Sequence, residues 1–192
     1  MQDSQRAIVI IFGPSGVGKT SVIEAALANE SCARVRRVVT TTSRKPRSGE
    51  VTGDHYNFIS QEEFLDLIEK RAFIEWSSEY GAYYGLLRKT VEDVWEQGNI
   101  PVVLLDRNGV ASIKNEYPRA VVIFLAPPSL VVLEQRLRKR QTEDEREILR
   151  RLILAEKEIT EESNDPLADY YVVNDVFEST IQKIASLVCV CS

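Results

Sequence analysis

The segment Gly13-Pro14-Ser15-Gly16-Val17-Gly18-Lys19-Thr20 carries the strongest chemical signal in the chain. Two glycines enclosing four residues, followed by Lys and a hydroxyl residue, let bare backbone N–H groups wrap a polyphosphate. Gly13, Ser15, Gly16, Val17 and Gly18 would form that cradle, Lys19 would reach the β- and γ-phosphates of ATP, and the Thr20 hydroxyl would help hold Mg²⁺. The flanks suit this chemistry. The apolar run Ala7–Phe12 precedes the turn, and the helix-compatible stretch Thr20–Asn29 follows it, aiming a helix N-terminus at the anion.

A second group of residues points to a phosphate monoester. The segment Thr40-Thr41-Thr42-Ser43-Arg44-Lys45-Pro46-Arg47-Ser48-Gly49-Glu50 sets two guanidinium groups beside a Pro/Gly turn. Planar forks suit a phosphate dianion better than ammonium groups do. Downstream, Phe73-Ile74-Glu75-Trp76 places a carboxylate in an apolar segment, where it needs a polar partner. Each feature also has a plain structural reading. Arg44 and Arg47 could be solvated turn cations, and Tyr56 and Tyr84 could be packing residues. Arginines near 136–151 could form helix-surface pairs with Glu134, Glu143 or Glu147. His55, the one histidine, is given no catalytic role.

The elements that must position these groups alternate along the chain. Strands are expected at Ile8–Phe12, Val35–Thr41, Pro101–Leu105, Ala120–Leu125 and Tyr171–Val173. Helices are expected at Ser21–Asn29, Gln61–Lys70, Thr90–Gln97, Ser129–Arg140, Asp144–Glu162 and Glu178–Val188. This alternation predicts an α/β fold with a parallel sheet flanked by helices. From about Thr41 to Tyr84 the rhythm breaks, which predicts an inserted subdomain with Tyr56, Phe58, Phe64, Phe73 and Trp76 as its core. The charged stretch after Arg136-Leu137-Arg138-Lys139-Arg140 predicts a helical lid.

Composition bounds the rest. A length of 192 residues suits one domain, and 44% hydrophobic content is ordinary for a soluble protein. Met1–Arg6 are polar, so no secretory leader is expected. Cys32, Cys189 and Cys191 show no metal or redox spacing. With an odd count and no leader, they point to a reducing, cytoplasmic compartment, with no chemistry expected of them. A net charge of −5 argues against nucleic-acid binding. No membrane partner is expected, and the oligomeric state is undetermined.

The series of motifs resembles the guanylate kinase family nearly end to end. The matching segments are the glycine-rich loop, Thr42–Glu50, Phe73–Trp76, Tyr83-Tyr84-Gly85, Ala126-Pro127-Pro128-Ser129, Arg136–Thr142 and Val172-Val173-Asn174-Asp175. The resemblance implies a P-loop kinase core (about 1–39 and 86–192), a GMP-binding insertion (about 40–85) and a lid (about 136–160). It implies transfer of the γ-phosphoryl group of ATP to GMP, with Mg²⁺ on the donor phosphates. Arg44, Arg47, Tyr56 and Tyr84 would then bind the GMP phosphate. Glu75 would accept from guanine N1–H and its exocyclic amine, with Thr40 directed at the base. Arg136, Arg140 and Arg151 would be lid arginines stabilising charge. Asp106 would lie near metal and substrate, and Asn174 would belong to the ATP site.

Three positions depart from the family pattern. Leu86 stands where a Ser or Thr usually helps hold guanine, Leu104 where a second acid usually precedes Asp106, and Gln141 where a glycine is common. These departures leave open a kinase acting on a phosphorylated sugar. A non-catalytic module binding a phosphorylated peptide is the other alternative, opposed by the intact Lys19-Thr20 pair.

Overall fold

A computed structural model describes residues 7–47, 49–79, 81–139 and 144–189. At its centre is β1 (Val9–Phe12), buried at every position. The strand is paired in parallel with β7 (Ile100–Leu104) on one side and β8 (Val121–Ala126) on the other. With β2 (Val35–Val38) and β9 (Tyr170–Val173) at the edges, the order is β2-β7-β1-β8-β9. Helices cover both faces, so the central strands have no polar face and read as unbroken apolar runs.

Side-chain alternation divides the core. Val9 and Ile11 pack with Val22 and Ile23 of α1 (Lys19–Leu27) and with Ile184 and Val188 of α7 (Phe177–Cys189). Ile8, Ile10 and Phe12 point the other way. They meet Val91 of α3 (Arg88–Glu96) and Val110 and Ile113 of α4 (Arg107–Glu116). A smaller cluster joins Leu133 and Leu137 of α5 (Leu130–Lys139) to Ile148 and Ala155 of α6 (Glu145–Asn164). It mounts α6 over the carboxyl ends of the strands, where open α/β sheets bind ligands.

The second sheet, ordered β4-β3-β6-β5, lies between β2 and α3 in sequence. Its members are β3 (Thr41–Thr42), β4 (Asn57–Phe58), β5 (Phe73–Glu79) and β6 (Ala82–Leu87). Phe64 of α2 (Gln61–Glu69) stacks on Phe73 and Tyr83 at 4.4 and 5.4 Å. Ser60 and Glu63 close a reciprocal capping box at the start of α2.

Four expectations need correction. The strand anticipated over Val35–Thr41 is two strands in different sheets, because the chain leaves the main sheet after Val38. Helix α4 was not anticipated, since Asn108 and Gly109 weaken its helical signal. Trp76, expected in the small core, is 48% exposed, and Tyr83 takes its place against Phe64. Most unlike the sequence reading, Cys32 and Cys189 form a disulfide with Cα atoms 5.3 Å apart. A separation of 157 residues gives no spacing signal, and only the packing of α7 against α1 and the turn Glu30–Cys32 brings the thiols together. Cys191 lies outside the described residues.

Closing so long a loop restricts the unfolded chain, an effect typically worth about 2–5 kcal/mol. Cys32→Ser should therefore lower the thermal midpoint without reductant, and reductant should lower the wild type to the same value. A wild-type melt indifferent to reductant would show that the bridge contributes nothing.

Candidate active site

The glycine-rich turn fits its position because of what it lacks. A Cβ at Gly13, whose φ is +138°, would sit 2.2 Å from the Leu125 carbonyl oxygen of β8. Gly18, at φ +102°, occupies the N-cap position of α1 and lies against the Asn174 side chain. Lys19 Nζ donates to the carbonyls of Gly13 and Pro14, so the ammonium is curled over the loop that it would share with phosphate.

Three further contacts brace this loop. Asn174 Nδ2 donates to the Val17 carbonyl at 2.7 Å. Arg136 donates to the carbonyls of Val17 (3.4 Å) and Asn174 (2.8 Å). Neither residue lines the cleft, although both were expected to meet nucleotide directly. Asn174 is buried, and its Oδ1 has no hydrogen-bond partner among the described residues. Arg151, on α6, does reach the cleft: its NH1 donates to Ser15 Oγ at 2.9 Å and its Nε to Glu147 at 2.9 Å. Hydrogen bonds from Arg150, then from Arg151, hold the Glu147 carboxyl down at about 2 against a burial effect of opposite sign. Arg140 and Gln141 lie outside the described residues.

Facing the loop across a cleft of about 400 Å³ is the second sheet with its Arg-bearing turn. Arg44 donates to Glu50 at 2.8 Å, and Glu50 also accepts from the Arg47 backbone at 2.7 Å. The Arg44 guanidinium lies 5.5 Å from the Tyr56 ring centre, and Tyr56 meets Tyr84 edge-on at 6.0 Å. Burial raises the Glu50 carboxyl, but the bonds from Arg44 and the Arg47 N–H outweigh it and hold the group below its ordinary value. Burial, then the neighbouring Tyr84, raises the Tyr56 phenol. Glu50 went unnoticed as a site residue in the sequence. Its one signal is position, three residues beyond Arg47 in the same turn.

At the far end of this cleft stand two acids. Glu75 is 9% exposed and pairs across the β5–β6 ladder with Leu86, whose N–H offsets part of the upward shift of the carboxyl. Gly109 makes room for it, since a Cβ there would lie 3.1 Å from Glu75 Oε2. Burial, then the negative charge of Asp106, pushes Glu75 up to about 8 from an ordinary 4.5. Asp106 caps α4 by accepting the Gly109 N–H at 2.7 Å, and the Ser77 hydroxyl stands 3.4 Å from its other oxygen. Thr40, Tyr84 and Leu104 line the same space. Leu86 does not: its side chain is fully buried in the core beneath the sheet.

In comparison with known proteins, the family model described as guanylate kinase matches residues 5–189. The chain is 37% identical over 184 residues to a guanylate kinase of Caldanaerobacter subterraneus subsp. tengcongensis, covering 96% of this chain and 87% of that one. It is 38% identical to a Rickettsia conorii guanylate kinase, covering 97% and 80%. Among solved structures, guanylate kinase from Anaplasma phagocytophilum superposes with a TM-score of 0.73 at 28% identity, covering 98% of this chain and 87% of that one.

The raised Glu75 carboxyl has a consequence for stability. Between 4.5 and about 8 the folded protein holds a proton that the unfolded chain has released, so this group's contribution falls as pH rises through that window. Glu75→Gln removes the effect. The melting midpoint of the variant should therefore gain on the wild type between pH 5.5 and 8.5, whereas parallel curves would contradict a proton held there.

Proposed function

This chain belongs to the guanylate kinase family, and we propose how its cleft moves the γ-phosphoryl group of ATP to GMP, giving ADP and GDP. The observation that carries this account is a single cleft lined at one end by Lys19 and Thr20 and at the other by Arg44, Arg47 and the Glu75–Asp106 pair. Donor and acceptor phosphates bound at these two ends would meet between them.

On the donor side, the N–H groups of the Gly13–Thr20 turn and the start of α1 receive the ATP phosphates. Lys19 exchanges its carbonyl partners for phosphate oxygens. Asn174 serves the ATP site from behind, its Nδ2 holding the Val17 carbonyl so that the loop's N–H groups stay turned toward the phosphates. Thr20 lines the cleft at the helix start and is the protein oxygen offered to Mg²⁺. Since no group of three or more metal-ligating acids, histidines or cysteines occurs among the described residues, phosphate and water would complete a Mg²⁺ shell, as that ion commonly requires. When bound, the ion neutralises charge on the β- and γ-phosphates.

On the acceptor side, Arg44, Arg47, Tyr56 and Tyr84 hold the GMP phosphate, with Glu50 fixing the Arg44 guanidinium and the Arg47 backbone until it arrives. Glu75 accepts from guanine N1–H and the exocyclic amine, a pair of donors that adenine does not present, while Thr40 and Asp106 flank the base. A GMP phosphate oxygen attacks the γ-phosphorus, the bond to the β–γ bridging oxygen breaks, and ADP leaves with that oxygen. Lys19, Arg44 and Arg151 stabilise the charge spread over the moving group. Arg136 supports the loop through the Val17 carbonyl; Arg140, outside the described residues, is the further arginine to which we assign charge stabilisation. Closure of α6 over both nucleotides would exclude water. We assign the reaction to the cytoplasm, although the Cys32–Cys189 bridge removes the argument for a reducing compartment that the cysteine count supplied. No described helix is long and apolar enough to cross a membrane.

Two outcomes test this account. Lys19→Ala should cut ATP- and GMP-dependent ADP formation by at least ~100-fold, as loss of a principal charge-stabilising group does. In addition, Glu75 must be ionised to accept two donors, yet it holds its proton to about 8. The KM for GMP should therefore fall roughly fivefold to tenfold from pH 7 to 8.5, while that for ATP stays level. A flat GMP profile would remove Glu75 as the base reader.

A further inference from the structure

The loss of a hydroxyl at position 86 leaves a question of which group meets the remaining donor on the guanine edge. A carboxylate has two oxygens, and Glu75 can serve N1–H and one hydrogen of the exocyclic amine. The second amine hydrogen then needs its own acceptor, or it is buried unpaired at a cost of about 1–3 kcal/mol. Leu86 cannot supply one, because its side chain is buried in the core. Its backbone N–H is a donor and cannot accept from the amine.

Ser77 stands two residues beyond Glu75 on β5, on the same face of the strand. Its side chain lines the same cleft as Glu75 and Asp106. The hydroxyl lies 3.4 Å from Asp106 Oδ2, with Ser77 as donor. Asp106 cannot swing away to form a different contact without cost, since its Oδ1 caps α4 through the Gly109 N–H at 2.7 Å. A serine proton directed at a fixed carboxylate leaves the serine oxygen as an acceptor facing the cleft. Guanine presents a donor there, whereas a purine without the 2-amino group does not.

We propose that Ser77 is a specificity-determining residue of the acceptor site, its Oγ accepting from the exocyclic amine of guanine while its proton goes to Asp106. The inference rests on the GMP-binding account above. It adds a residue outside the motifs quoted for the acceptor site and relocates the missing hydroxyl from β6 to β5.

The test compares GMP with inosine monophosphate, which keeps N1–H and the 6-oxo group but lacks the amine. Both would be assayed on the full chain with wild type, Ser77→Ala and Ser77→Thr. Ser77→Ala should lower kcat/KM for GMP about tenfold, mainly through KM, and leave inosine monophosphate within twofold, so the preference between the two collapses. Ser77→Thr, which restores the hydroxyl, should recover that preference. If Ser77→Ala leaves the GMP-to-inosine ratio intact, the proposal is overturned, whether both activities fall together through Asp106 or neither changes. Wild-type protein that fails to turn over GMP at all would instead overturn the acceptor-site account on which the proposal stands.

Discussion

The path of the chain from β1 into α1 depends on the absence of one side chain. A Cβ on Gly13 would lie 2.2 Å from the Leu125 carbonyl oxygen, so only glycine lets the loop leave the central strand while pressed against β8. That close approach fixes where the backbone N–H groups emerge and where Lys19 begins the helix. Everything else about the cleft is arranged around this origin: the β5–β6 hairpin that faces it, α6 that reaches over it, and the asparagine and arginine that hold its Val17 carbonyl from behind.

A site built for phosphates must hold cations close together before any phosphate is present. Here the guanidinium groups of Arg44, Arg151 and Arg136 are each held by a carboxylate or by backbone carbonyls. Arg44 leans on Glu50, and Arg151 on Glu147 and Ser15. Arg136 is held by two carbonyls. Such partners limit mutual repulsion and set the forks in place, so little reorganisation remains when anions arrive. The opposite problem arises at the base end, where two acids share a space with few cations. The solution there is a retained proton on Glu75 and a helix cap that satisfies Asp106. Opposite electrostatic demands thus sit at the two ends of one cleft.

Leu86 and Leu104 show how an apolar replacement can have different consequences at neighbouring positions. Leu86 is on β6 directly opposite Glu75, and its side chain joins the core with Val91 and Val110. The replacement therefore adds buried apolar surface and withdraws a polar group from the site. Leu104 lines the cleft and leaves Asp106 as the acid at the end of β7. Neither change disturbs the turn that binds phosphate or the arginines that face it.

The sequence by itself determined the phosphate-binding turn, the parallel sheet and the family, because these depend on local periodicity and on motifs contiguous in the chain. Gly13–Thr20, Arg44, Arg47 and Glu75 could be read as residue types at fixed spacings, and the cleft does bring them together. What tertiary structure alone decided are the relations between distant segments. The Cys32–Cys189 bridge spans 157 residues. Asn174 and Arg136 turned out to sit behind the loop rather than in the cleft, and Ser77 met Asp106 from a different sheet. Helix α4 also escaped the sequence, since its weak intrinsic propensity is outweighed by burial of Val110 and Ile113 and by the Asp106 cap. Local patterns record what a segment prefers; which surface it buries and which partner its polar groups find depend on the whole packed chain.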